Sequence, residues 1–247
     1  TTLRNGLAHS RNVVTVKLLG KVGVDNVINY SHKIGIKSDL TKDMTLALGT
    51  SEVNLLELVS SYSVFPDMGL RAEPIAIKQV KDSSGKTMEE YNTNIEEIIK
   101  PESAYLMISM LQSVINYGTA QTAKRYRIPP SAGKTGTTDN NTDAWFIGFT
   151  PEIIAGVWIG YDEKISMGKG ATASTIAVPI WADFISELYK NRETRDFIQP
   201  ENIVTAKIDT SSGLLATNDC KETIDEIFVK GTVPTKFCDI HKPKLPF

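Results

Sequence analysis

"SAGKTGTT", residues 131–138, is the stretch on which the reading of the chain turns. Its Gly133-Lys134-Thr135 coincides with the end of a phosphate-cradling loop, whose pattern is Gly, four residues, then Gly-Lys-Ser/Thr. That pattern needs glycine at position 128, where this chain has isoleucine. Pro129 and Pro130 occupy the bend where backbone N–H groups should face phosphate, and proline has none. A phosphate loop also opens a helix, whereas Gly136, the turn-rich "DNNTD" (139–143) and "AWFIGFT" (144–150) give strand, turn, strand. The nucleotide reading fails, and the octapeptide is a strand.

Working outward, "IIAGVWIGYD" (153–162) follows after a turn at Pro151. Three strands on such short connections must be antiparallel, because a parallel crossover takes a dozen or more residues. Side chains alternate along a strand, so Lys134, Gly136 and Thr138 share one face and Thr135 and Thr137 the other. Gly136 leaves the strand bare, so an extended peptide can lie along it as one more strand.

The rest of the chain reads as helices around this sheet. Val13, Val16, Leu19, Val24, Val27, Ile28 and Ile34 recur at helical spacing, punctuated by Gly20, Gly23 and Gly35, which predicts two short helices. Another is expected from about Ser51, as N-cap, to Tyr62, before Pro66. "EPIAIKQVKDSSGKTMEEY" (73–91) reads as a hairpin turning at Asp82–Gly85. Pro101 suits the first turn of a helix ending near Gly118. "STIAVPIWADFISELY" (174–189) is helical, with a kink expected at Pro179. Short strands follow Phe197.

Composition sets the outer limits. The 247 residues, 41% apolar, can fill a real core, and 27 basic against 29 acidic residues give no excess to hold a nucleic acid. No run approaches the roughly 18 apolar residues of a bilayer span, so an anchor is expected outside this sequence. The only cysteines are Cys220 and Cys238. A bridge between them would close a loop of about 19 residues and contribute on the order of 3 kcal/mol in an oxidising compartment; unlinked thiols are the alternative. Neither a Cys-x-x-Cys spacing nor a His pair points to a metal, and His9, His32 and His241 are scattered. No metal or cofactor is expected.

"HSRN" changes the weight of the strand triad, because Ser10-x-Asn12 lies 122 positions before Lys134. With Lys134-Thr135-Gly136, this loop resembles the second motif of the transpeptidase domain of penicillin-binding proteins, specifically the class A type that also carries a glycosyltransferase. "NGLAHSRNVVTVKLL" (5–19), "LALGTSEVNLLELVSSYSVFPDMG" (46–69), "YGTAQTA" (117–123) and above all "AGKTGTTDNNTDAWFIGFTPEIIAGVWIGYD" (132–162) are similar to successive segments of that domain. "IDTSSGLLATNDC" (208–220) and "GTVPTKFC" (231–238) resemble the class A ending. The resemblance implies an α/β (α+β) transpeptidase fold like that of serine β-lactamases, an antiparallel sheet flanked by helices. Residues 1–197 would be the C-terminal part of the transpeptidase domain and 198–247 an extension packed on it.

It also implies a mechanism. A serine in Ser-x-x-Lys at a helix start attacks the carbonyl between two D-alanines of a peptidoglycan stem peptide, releases the last one and passes the acyl group to a neighbouring amine; β-lactams imitate that dipeptide. Three residues make nearly one helical turn, which sets the lysine amine beside the serine. Ser10, Asn12 and Lys134 would be catalytic: Ser10 relays a proton, Lys134 assists it, and Asn12 holds the acyl-side amide. Thr135, Gly136, Thr137 and Thr138 would bind substrate, with the Thr137 N–H as one oxyanion donor. Asp143 and Trp145 are expected to serve the fold, Trp145 buried behind the triad. Three formal Ser-x-x-Lys matches begin at Ser83, Ser131 and Ser166; each has glycine third and follows Ser10. The nucleophile is therefore expected upstream or on another chain produced by cleavage, in an enzyme that acts outside the cytoplasm and is membrane-anchored; without it this piece is expected to be inactive. A non-catalytic penicillin-binding sensor and a D,D-carboxypeptidase are the rival readings. All of them require the segments around Asn12 and Lys134 to form opposite walls of one pocket.

Overall fold

The computed structural model describes residues 1–241. The last six residues of the predicted extension lie outside that range. Chain order begins with α1 (Leu3–Ala8), α2 (Asn12–Val22), α3 (Val24–Ile34) and α4 (Leu55–Tyr62). Two small antiparallel pairs follow: β1 (Leu70–Ala72) with β4 (Ile95–Glu97), and β2 (Gln79–Lys81) with β3 (Thr87–Glu90). Then come α5 (Pro101–Asn116), the central strands β5 (Ala132–Thr137), β6 (Asp143–Phe149) and β7 (Ile154–Gly160), and α6 (Val178–Leu188). The last strands among the described residues are β8 (Ile203–Asp209) and β9 (Thr223–Val229), paired as an antiparallel hairpin.

Most local signals act as expected. Pro101 starts α5, Asp82–Gly85 makes the β2–β3 turn, and Gly23 and Gly35 bound α3 with positive φ. Ser51 is not the cap of α4. Asn54 is: its Oδ1 accepts from the N–H groups of Leu56 and Glu57 (2.8 and 3.2 Å), while Glu57 Oε1 accepts from Asn54 N–H at 2.8 Å. This reciprocal box satisfies donors at both ends of the first turn, and Ser51 instead bonds Thr41. Pro179 does not kink the last helix either. A π-turn (Ala173–Ala177) precedes it, and proline sits in the first turn of α6, where its missing N–H costs nothing.

The main sheet has the order β5-β6-β7, antiparallel throughout, leaving β5 on an edge. Phe146 and Ala144 point to one face with Thr135 and Thr137, and α5 and α6 cover it with Ile108, Leu111, Trp181 and Ile185. Phe146 meets Trp181 edge-on at 5.2 Å, and the Trp181 indole N–H donates to Gly148 O (3.1 Å). A side chain at Gly148 would stand 2.6 Å from Trp181, so glycine is what lets this helix lie on the sheet. The other face, with Lys134 and Ile147, lies under α4, where Gly156 approaches Val59 and Leu55. Trp145 is on this face but only half-buried, stacked obliquely on Trp158 at 6.0 Å. The expectation that it is buried behind the triad is corrected, because the partner across the strand is another large aromatic near the sheet edge. No helix among the described residues is long and apolar enough to cross a membrane.

Cys220 and Cys238 are free thiols. His241 is not scattered: it converges with both cysteines and Asp209. That departs from the sequence reading of no metal site, because the hairpin β8–β9 and its closing segments bring four positions together that no local spacing reveals.

Candidate active site

Ser10 lies in the short connection between α1 and α2 with φ of 51°, a left-handed conformation unusual for a non-glycine residue. Backbone bonds hold it there: Ser10 N–H donates to Leu7 O (3.2 Å) and Arg11 N–H to Gly6 O (2.8 Å). Neither Ser10 nor Asn12 caps α2: Arg11 is the N-cap, and it makes no side-chain capping bond. The Ser10 hydroxyl instead accepts from Lys134 Nζ at 3.0 Å, across 124 residues of sequence. Lys134 also donates to Thr135 O (2.8 Å), and burial pushes its pKa from 10.5 down to about 8. A lysine so placed gives up its proton far more readily than one in water. Asn12, the first residue of α2 and two positions after Ser10, is exposed, and its side chain makes no hydrogen bond among the described residues.

The other face of β5 carries the second half of the site. Thr135 Oγ1 is 2.6 Å from Thr119 Oγ1, and Thr137 Oγ1 accepts from Ala173 N–H at 3.1 Å. Thr119 was not singled out as a site residue in the sequence; the only signal was its place in "YGTAQTA". It is held by its N–H bond to Ala8 O (3.0 Å), which fastens the segment after α5 to the end of α1. A cleft of about 420 Å³ opens there, lined by Gly118, Thr119, Gln121, Thr122, Arg125 and Ser174. Arg125 brings it a positive charge. Gly136 faces Trp145, where a Cβ would lie 3.3 Å from the Trp145 Cβ, so the bare position also relieves a tight cross-strand approach.

Thr138 lies just past the end of β5. Its hydroxyl accepts from Asp143 N–H (2.8 Å) and pairs with Thr142 Oγ1 (2.7 Å), because β5 ends at Thr137 and Thr138 opens the turn to β6. Asp143 serves the fold, as expected, accepting from the Trp158 indole at 2.9 Å. None of the three formal Ser-x-x-Lys matches forms a nucleophile pair. Ser83 and Lys86 sit in the β2–β3 turn, the buried Ser131 donates to Pro129 O (2.7 Å), and Ser166 donates to Asn140 O (2.7 Å).

The Ser10 hydroxyl and the half-buried Lys134 thus stand together beside the threonine-bearing edge strand of an antiparallel sheet, as a transpeptidase domain requires. The chain belongs to the penicillin binding protein transpeptidase domain family, which it matches over residues 1–185. Residues 199–243 match the C-terminal domain of penicillin-binding protein 1A. The chain is 42% identical to penicillin-binding protein 1A of Aquifex aeolicus, covering 96% of this chain and 32% of that protein. It is 36% identical to the Neisseria lactamica protein of the same name, over 82% of this chain and 26% of that protein. The crystal structure of penicillin-binding protein 1A from Haemophilus influenzae superposes with a TM-score of 0.88 at 26% identity, over 96% of this chain and 41% of that one. The fold therefore agrees with the sequence reading, and the relatives are of class A. This chain spans about a third or less of the curated relatives' length.

Proposed function

We propose that this chain supplies one wall of the active site of a peptidoglycan D,D-transpeptidase, the penicillin-sensitive half of a bifunctional glycosyltransferase/transpeptidase. The observation that carries the reading is the 3.0 Å hydrogen bond from Lys134 to Ser10. The nucleophile, a serine of Ser-x-x-Lys, comes from a segment outside this chain, so these residues alone are inactive. That serine attacks the carbonyl of the penultimate D-alanine of a stem peptide, and the peptide C–N bond breaks. Ser10 gives its hydroxyl proton to the leaving nitrogen and is reprotonated from Lys134, a proton transfer worth about 10²–10⁴ in rate. A neighbouring stem's amine then takes the acyl group. β-Lactams enter the same cleft and stay attached.

Thr135 and Thr137 bind the substrate's terminal carboxylate, Arg125 adds favourable field from the adjoining cleft, and Gly136 leaves room for the peptide along β5. The Thr137 N–H is one oxyanion donor. Asn12 holds the acyl-side amide, and Thr138 shapes the end of the strand. Residues 1–197 act as the transpeptidase part and 198–247 as its C-terminal extension. The enzyme works outside the cytoplasm, anchored by a segment not in this chain. The test is covalent labelling of the full-length protein by a fluorescent penicillin. Intact protein should label stoichiometrically, and Ser10→Ala should slow labelling at least about a hundredfold. No label on the intact protein would end the proposal.

A further inference from the structure

The C-terminal extension contains a second chemical cluster that transpeptidation does not use. Asp209 ends β8, Cys220 lies in the loop to β9, and Cys238 and His241 belong to the segment after β9. One ligand atom from each of the four lies within 4.8 Å of every other. His241 Nδ1 is 3.0 Å from Asp209 Oδ2 and 3.5 Å from Cys238 Sγ. In a tetrahedron with Zn–S near 2.3 Å and Zn–N or Zn–O near 2.0–2.1 Å, the ligand-to-ligand edges are about 3.3–3.8 Å. The separations in the cluster lie within about 1 Å of those edges.

Asp209 is the independent observation. It is fully buried. Oδ1 accepts from the N–H groups of Ser211 and Ser212 (3.2 and 2.8 Å), which fixes the carboxylate, while the buried Oδ2 has no aligned hydrogen bond among the described residues. A buried, half-satisfied carboxylate is costly unless something cationic answers it. A Cys220–Cys238 bridge would leave Asp209 Oδ2 with only the His241 ring to answer it, whereas a divalent ion takes all four groups. The outer contacts suit one as well. Thr217 donates to Cys220 Sγ from its N–H (3.3 Å), as donors do around a coordinating thiolate.

We propose that Asp209, Cys220, Cys238 and His241 form a structural zinc site. Two thiolates select a soft ion over calcium or magnesium, and four protein ligands leave no open position for catalysis. The reason for it lies in the hairpin. A two-stranded sheet is marginal on its own, and β8–β9 buries few apolar side chains, among them Ile203 and Ile208. Backbone bonds already knit the three segments together, Leu215 N–H to Lys236 O (3.0 Å) and Cys238 N–H to Leu215 O (2.8 Å). The ion closes the open end where local packing is thin.

The test is made on untagged full-length protein purified under reducing conditions. Elemental analysis should find about one zinc per chain. Zinc-depleted protein given Co²⁺ should show the thiolate-to-metal charge-transfer and d–d bands of a tetrahedral site, a readout that needs no variant. Cys220→Ser and His241→Ala, checked for folding by retained penicillin labelling, should lower zinc content or affinity at least about tenfold. Reduced wild-type protein that binds neither zinc nor cobalt, or a cobalt spectrum without thiolate bands, overturns the site, whether or not the isolated protein carries a disulfide.

Discussion

Lys134 is a cation placed where water is scarce, and the fold bears a cost for it. Its pKa of about 8 stands below the ordinary 10.5 because burial disfavours the charged form. The unfolded chain therefore binds the proton more tightly. The penalty is fully present below about pH 8, and stability rises with pH between about 8 and 10.5 as the folded state loses its proton first. Lys134→Met should abolish penicillin labelling and yet resist denaturant better at pH 7. The size is on the order of 1–3 kcal/mol, less whatever its bonds to Ser10 and Thr135 contributed. The difference between variant and wild type should shrink as pH rises toward 10. Denaturation curves of the two proteins across that range check it, and a pH-independent difference would mean that the ammonium is not desolvated.

At the scale of elements, the site depends on how closely the segment after α5 approaches the end of α1. A Cβ on Gly118 would stand 2.2 Å from Ala8 O and 2.8 Å from Val114 Cα, both backbone atoms that cannot swing aside. Gly118→Ala should therefore push α1 and Thr119 apart, cost about 1–3 kcal/mol, and slow penicillin acylation although it changes no reacting group. Gly85→Ala serves as the control for activity, since Gly85 sits in a remote turn with nothing within 4 Å of an added Cβ. Equal labelling rates in the two variants would contradict the clamp. This contact also marks what sequence could tell. Pro101, the Asp82–Gly85 turn and the short links between β5, β6 and β7 act through their neighbours in the chain, so they were legible. Asn54 displaced Ser51 as a cap because its reciprocal partner Glu57 lies three residues on. Thr119, the half-exposure of Trp145 and the meeting of His241 with Asp209 arise from packing between distant segments, and no local pattern records them. Lys134 and Ser10 were paired only through the resemblance, since no spacing in the chain fixes a contact over 124 residues.

Over the whole molecule, one buried arginine ties the C-terminal hairpin to the helix that presents Ser10. Arg4 of α1 is 8% exposed. Its guanidinium donates to Ser109 O and to Ser113 Oγ (2.9 Å) on α5, and from Nε to both Glu226 oxygens on β9 (3.0 and 2.8 Å). A forked pair of this kind fixes orientation as well as distance. Because it is nearly dry, its contribution is asymmetric: taking one partner away leaves a buried charge, whereas replacing both with apolar groups can be close to neutral. Glu226→Ala should cost about 3–5 kcal/mol and loosen α1, so penicillin acylation falls even though Glu226 lies on β9, outside the catalytic cleft. Arg4→Met with Glu226→Leu should recover most of the stability. It should not recover the full rate, because apolar packing restores burial but not the angular constraint on α1. Denaturation and acylation measured across the four proteins of this cycle separate the two effects. If the double variant regains both together, α1 needs only to be covered, and the hairpin is a lid on the helix with no part in aiming it.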